Sequence, residues 1–289
     1  MNAENWKAKG KFVEVNGRNL FVVEEGDPNK PTLLILHGYP SCSFDYYKVL
    51  PILSKKYRVI VHDHFGFGFS DKPVEYSYSI IDQADTALSL WRKLGIKEAF
   101  ILAHDYGSSV LTEIVAKWNL GYRPVDINAI IFGNGSILIN RVKLLFAQKI
   151  LMNKKLGPIL TKLSTESYFQ YNLKKIFYDK SKYSKEEIRI LYEIGMTKEA
   201  KAVFPRISLY NHERKKFWNR WITNGIYNTD IPIKIYWADK DPIAVIDMAH
   251  ELKKNIPTAN LKIIKDVGHY PMLEAPVLWS ETVLGLLVE

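Results

Sequence analysis

The chain has 289 residues, carries a net charge of +9, and is 47% hydrophobic and 25% charged. That is an ordinary soluble globular composition, with no apolar run reaching the roughly 18 residues needed to cross a bilayer and no signal-like apolar core in residues 1–10. The single cysteine, Cys42, excludes an intrachain disulfide and fits a cytoplasmic location, while the lack of a dense Arg/Lys cluster interleaved with aromatics argues against a nucleic-acid partner and for a lysine-rich solvated surface.

Phe12–Val15 and Asn19–Glu24 flank Asn16-Gly17, which predicts a β-hairpin. Residues 31–36 and 57–61 are continuous apolar strands, and a helix spans about Ile80 to Leu94, closed by Gly95. Next come a strand ending at Ala103, a helix to about Trp118 and a buried strand over Ile127–Phe132. Strands return at 231–237 and 260–264, and a last helix covers about Pro276 to Leu287. Apolar strands alternating with helices imply a mostly parallel α/β sheet, of about eight strands, with helices on both faces. From 136 to 224 the β-like runs stop and helical spacing with many aromatics takes over. This predicts a core of residues 1–135 and 225–289 with a helical cap, 136–224, inserted into it. The stretch Ile137–Leu163 holds Arg141, Lys143, Lys149, Lys154, Lys155 and Lys162 and no acidic residue. It reads as a cap helix, apolar toward the site and cationic toward water; contact with an anionic membrane surface is the alternative.

The decisive stretch is Ala103-His104-Asp105-Tyr106-Gly107, a small-x-nucleophile-x-Gly frame between strand and helix. In a nucleophile elbow the middle residue stands strained and exposed above the sheet. Here that residue is Asp105 rather than Ser. Asp241 follows a late strand, with Asp239 as its competitor, and His269 follows the last strand. The order nucleophile, acid, histidine is that of a hydrolytic triad on such a sheet. A carboxylate attacks an sp³ carbon and leaves an ester, which water activated by His269 then hydrolyses. The backbone N–H groups of Tyr39 and Tyr106 are the candidate oxyanion donors, and an epoxide also needs an acid such as a cap tyrosine. His62, His64 and His104 read as structural, and no HExxH-like zinc spacing is present.

His37-Gly38-Tyr39-Pro40, the Asp63–Ser70 glycine loop, the Asp105 elbow, Asp241 and Gly268-His269 together resemble the α/β-hydrolase superfamily, over nearly the whole chain. The Asp elbow resembles the epoxide hydrolase and haloalkane dehalogenase branch. That resemblance implies the α/β-hydrolase fold, no cofactor, no metal, and a small apolar or aryl substrate. It also implies a substrate pocket near His37 and Tyr168, and an epoxide-opening tyrosine at Tyr210, within Ser208-Leu209-Tyr210-Asn211. The second cap tyrosine of that branch aligns near Thr165, leaving Tyr168 and Tyr171 as its candidates. Dehalogenases usually carry Trp after the nucleophile and many carry Asn after His-Gly; epoxide hydrolases often have that Trp too, so Tyr106 departs from both groups, while His37-Gly38-Tyr39-Pro40 is closer to epoxide hydrolases than to dehalogenases. A binding protein with a vestigial triad would carry the same aromatic cap.

Overall fold

In a computed structural model, residues 1–142, 144, 146–153 and 155–288 are described. Lys143 and Lys154 of the basic stretch lie outside them. Eight strands form one sheet: β1 (Lys11–Val15), β2 (Arg18–Glu25), β3 (Thr32–Leu36), β4 (Arg58–His62), β5 (Glu98–His104), β6 (Asp126–Gly133), β7 (Ile233–Ala238) and β8 (Asn260–Ile264). Their spatial order is β1-β2-β4-β3-β5-β6-β7-β8. β1 and β2 make the hairpin about Asn16-Gly17, both residues at positive φ, and β2 joins β4 antiparallel. Every later pairing is parallel.

The central strands β3 and β5 are largely apolar runs. Leu33 to Leu36 and Ile101 to Ala103 are buried, as expected for a strand covered on both faces. Register carries the site: Leu36 lies beside Ala103, and His104 beside Gly133. The carboxyl ends of neighbouring strands therefore finish level, and ligands of open parallel sheets bind at that edge. The helix Ile80–Lys93 starts at Ser79, whose side chain accepts from Asp82 N–H, and Gly95 just beyond it has φ of +70°.

Helix Ala3–Lys9 carries too little periodicity to be read from sequence. Asn2 caps it, and Trp6 is buried, its indole donating to Ser43 at 3.2 Å. Between β6 and β7 the chain forms the helices Phe146–Leu151, Leu156–Leu163, Glu166–Ile176, Lys185–Gly195, Lys198–Ile207 and Tyr210–Lys216. No strand occurs among the described residues of this insertion. Its far end is tied to the helix that follows Asp105. Glu113, fully buried on that helix, accepts two bonds from Arg220 at 2.7 Å and one from the Trp221 indole at 2.6 Å. A buried carboxylate is tolerable only when its oxygens are satisfied in this way.

Candidate active site

Asp105 follows β5 and caps the helix Tyr106–Asn119 with φ of 46° and ψ of −111°. A non-glycine residue in that region costs of order 1–3 kcal/mol and persists where the surroundings hold it. Two glycines make the turn possible. A Cβ on Gly107 would lie 2.2 Å from the Leu36 carbonyl oxygen, and one on Gly38 would lie 2.9 Å from the Asp105 Cβ. The β3 turn thus lies directly on the elbow, where Tyr39 N–H donates to Asp105 Oδ1 at 2.8 Å. Tyr106, the other candidate donor, is the first residue of the helix, where backbone N–H groups have no intrahelical acceptor.

His269 and Asp241 converge from the ends of β8 and β7. His269 Nδ1 donates to Asp241 Oδ2 at 2.6 Å, and His269 Nε2 lies 3.7 Å from Asp105 Oδ2. All three side chains are nearly inaccessible. Asp241 Oδ1 accepts from the Ile243 and Ala244 N–H groups at 2.8 and 3.0 Å. Asp239 turns elsewhere: it accepts from Asp266 N–H at 2.7 Å and faces Lys240 and Lys265. Burial opposes the charged form of His269, but the Asp241 and Asp105 carboxylates outweigh it and push the imidazole up to about 9.

Asn134, at φ of 44° just past β6, is a site residue that the sequence did not single out. Its amide donates to Asp241 Oδ2 at 2.8 Å, and its oxygen accepts from Ala238 N–H at 3.0 Å. It is fully buried and fixes Asp241 against β7. The only signal was position: an Asn between Gly133 and Gly135 at the carboxyl edge. Replacing Asn134 by Ala strands buried partners, so we expect a loss of about 1–3 kcal/mol in urea unfolding; an unchanged midpoint would contradict the role.

The site opens into a cavity of about 110 Å³ whose wall includes Asp105, His269, Tyr39, Tyr168, Phe204 and Ile243. That is comparable with the roughly 150 Å³ cavity that admits benzene in an engineered core. Most of its lining is apolar. Tyr168 lines it from the insertion; Tyr171 and Thr165 do not.

Tyr210 is buried but is not part of this wall. Its ring stands edge-on to Tyr106 at 5.0 Å, lies 6.2 Å from the Tyr39 ring, and has the Arg214 guanidinium 4.4 Å from its centre. Burial pushes the Tyr210 phenol up to about 12, while Arg214 pulls it back. Burial raises the Tyr39 phenol further, and no cation offsets it.

His37 is enclosed and does not line the cavity. Its Nε2 accepts from His64 N–H at 3.1 Å, which fixes the proton on Nδ1, and Nδ1–H donates to Gly38 O at 2.8 Å. His37 therefore braces the Gly38 turn. His62 and His64 pack behind it, edge-on to each other at 5.0 Å, with the tilted His64 ring 4.5 Å from His37. His104 packs 5.0 Å from His269. Burial holds all four neutral, lowering His62 to about 3 and His37, His64 and His104 below their usual value. Among the described residues no group of three or more His, Cys, Asp or Glu is placed to hold a metal ion.

The alpha/beta hydrolase fold family matches residues 31–276. The chain belongs to that family. Putative hydrolase LipZ of Mycobacterium tuberculosis is 31% identical over 288 residues, covering 100% of this chain and 99% of that protein. Mesoderm-specific transcript protein of Mus musculus is 32% identical over 292 residues, covering 98% of this chain and 87% of its own. Haloalkane dehalogenase DbeA from Bradyrhizobium elkani superposes with a TM-score of 0.83 at 19% identity, covering 96% of this chain and 97% of its own. At that identity the last likeness concerns the fold. As an α/β-hydrolase family member with relatives named as hydrolases, the protein is a hydrolase.

Proposed function

We propose that the protein hydrolyses small apolar or aryl epoxides to diols through a covalent ester on Asp105. The carrying observation is the strained Asp105 carboxylate, open to an apolar cavity, with Oδ1 held by Tyr39 N–H and Oδ2 facing His269. Oδ2 attacks an epoxide carbon, the C–O bond breaks, and the alkoxide takes a proton from the Tyr210 phenol. A phenol that gives up its proton leaves a phenolate, and Arg214 beside Tyr210 is the cation that stabilises one. Tyr39 lacks such a cation, which favours Tyr210 as donor although Tyr39 walls the cavity.

Esterification removes the Asp105 charge, one of the influences that raise His269. The imidazolium then becomes more acidic and returns a proton to the phenolate. Neutral His269, oriented by Asp241, removes a proton from water, whose oxygen attacks the ester carbonyl carbon. The N–H groups of Tyr39 and Tyr106 hold the oxyanion. Collapse expels the diol oxygen, which takes the proton from His269, and the Asp105 acid so released returns its proton to His269, restoring the carboxylate and imidazolium. Residues 136–224 act in this reading as the cap that supplies Tyr168, Phe204, Tyr210 and Arg214.

Haloalkane hydrolysis finds less support. The residue after the nucleophile, Tyr106, packs against His64, Phe67 and Tyr210 and does not line the cavity. Leu151, Leu160 and Phe169 are typical of the wall; among its described residues no tryptophan occurs and Asn172 is the one asparagine.

The Tyr210 assignment is tested by single-turnover kinetics on an aryl epoxide. Tyr210→Phe should slow ester formation roughly 10²-fold. Arg214→Leu should slow it by a smaller factor, with partial recovery in Arg214→Lys. Slowing by Tyr39→Phe with Tyr210→Phe unaffected would move the donor to Tyr39.

A further inference from the structure

Sequence reasoning placed the apolar side of the Ile137–Leu163 stretch toward the site. The structure puts part of it on the outside. Helix Leu156–Leu163 exposes Leu156 (51%), Ile159 (55%) and Leu163 (71%). Their i, i+3, i+7 spacing makes one outward stripe. Gly157 and Thr161 of the same helix are buried, and Leu160 and Thr161 line the cavity. On the preceding helix Phe146 is 78% exposed, while Gln148 and Leu151 line the cavity. An apolar, solvent-facing surface therefore forms the outer side of the same two helices that wall the active site.

Its charge is one-sided. Lys149, Lys155 and Lys162 are exposed among these apolar groups and form no ion pair among the described residues. No acidic residue occurs between Asp126 and Glu166. On the next helix Tyr171 is exposed, with the Lys175 ammonium 3.9 Å from its ring centre. Apolar side chains projecting between unpaired lysines, with a tyrosine at the margin, match an interface lined with anionic headgroups above acyl chains.

We propose that the outer face of helices Phe146–Leu151 and Leu156–Leu163 docks on an anionic lipid surface, so that apolar substrate dissolved in the bilayer reaches the Asp105 cavity. No helix among the described residues is long and apolar enough to cross a membrane, so the contact is peripheral and reversible. The occupant follows from charge complementarity and from a cavity wall continuous with the docking face. It does not depend on which leaving group Asp105 displaces.

The test is flotation with vesicles of phosphatidylcholine alone and with about one-third phosphatidylglycerol, at about 0.15 M salt. The full-length protein should float with the anionic vesicles and bind phosphatidylcholine at least ten-fold more weakly. The triple variant Leu156→Ser, Ile159→Ser, Leu163→Ser should lose ten-fold or more in vesicle affinity. Its hydrolysis of a water-soluble substrate should be unchanged, since none of the three lines the cavity. Lys149→Glu with Lys155→Glu and Lys162→Glu should abolish the lipid preference. Absence of binding, equal binding to both vesicle types, or undiminished binding by the serine variant would overturn the proposal. So would a dimer in solution that the serine variant dissociates while vesicles are ignored, since the stripe would then be covered by a second copy. Vesicle binding is read without turnover, so its failure is separate from failure of the epoxide reading.

Discussion

Replacing Asp105 by Ala should abolish epoxide turnover, with a loss of roughly 10⁴-fold or more, as when a triad nucleophile is removed. The fold should survive: the carboxylate packs at a turn that Gly38 and Gly107 already shape, and Ala retains the Cβ. Circular dichroism and a cooperative urea transition check that the loss is chemical. His269→Gln should behave differently. Ester formation needs no base, so the first half-reaction proceeds while water attack fails. One substrate mass should accumulate on the peptide containing Asp105. An Asp105→Ala enzyme with full activity would refute the nucleophile, and a His269→Gln enzyme that turns over without accumulating ester would remove His269 as the base.

Acid should unfold this protein steeply. His37, His62, His64 and His104 are buried and neutral, their folded pKa values depressed below the usual one, first by desolvation. The unfolded chain binds protons at these groups that the fold refuses. Stability from them is present above about pH 6.5 and is lost as pH falls toward the folded values, about 3 for His62. For His62 the loss approaches about 1.4 kcal/mol per pH unit below about pH 6.5, and His37, His64 and His104 add losses of the same sign. His269 has the opposite sign. Its raised pKa makes a contribution that is present below about 6.5 and fades as pH rises through about 9. The account expects greatest stability near neutrality, with the urea midpoint falling sharply by pH 5. Equal midpoints at pH 7.5 and 5 would contradict the neutral, buried cluster.

Much of this was legible because it depends on local chemistry. The elbow frame, the strand runs and the chain order of Asp105, Asp241 and His269 are carried by residues a few positions apart, and strands that end level bring such loops together. Of the two late-loop aspartates, Asp241 hydrogen-bonds His269, while Asp239, two residues back, faces lysines. What was not legible depends on long-range packing. Asn134 looks like any turn asparagine until β6 and β7 are adjacent. His37 sits beside the key turn in sequence, yet its ring points into the core, where both nitrogens meet backbone. Arg214 lies one helical turn beyond Tyr210, but its place over the phenol ring needed the helix. Helical spacing groups Leu156, Ile159 and Leu163 on one face without saying whether that face meets protein or solvent; the packing partner decides it.

The central claim is that water attacks the Asp105 ester rather than the substrate. Running a single turnover of excess wild-type enzyme in ¹⁸O-water, with an aryl epoxide, tests it most directly. The account predicts an unlabelled diol, because its new oxygen comes from the Asp105 carboxylate, and one ¹⁸O in the peptide containing Asp105. A labelled diol with unlabelled Asp105 would contradict it and assign Asp105 to activating water instead.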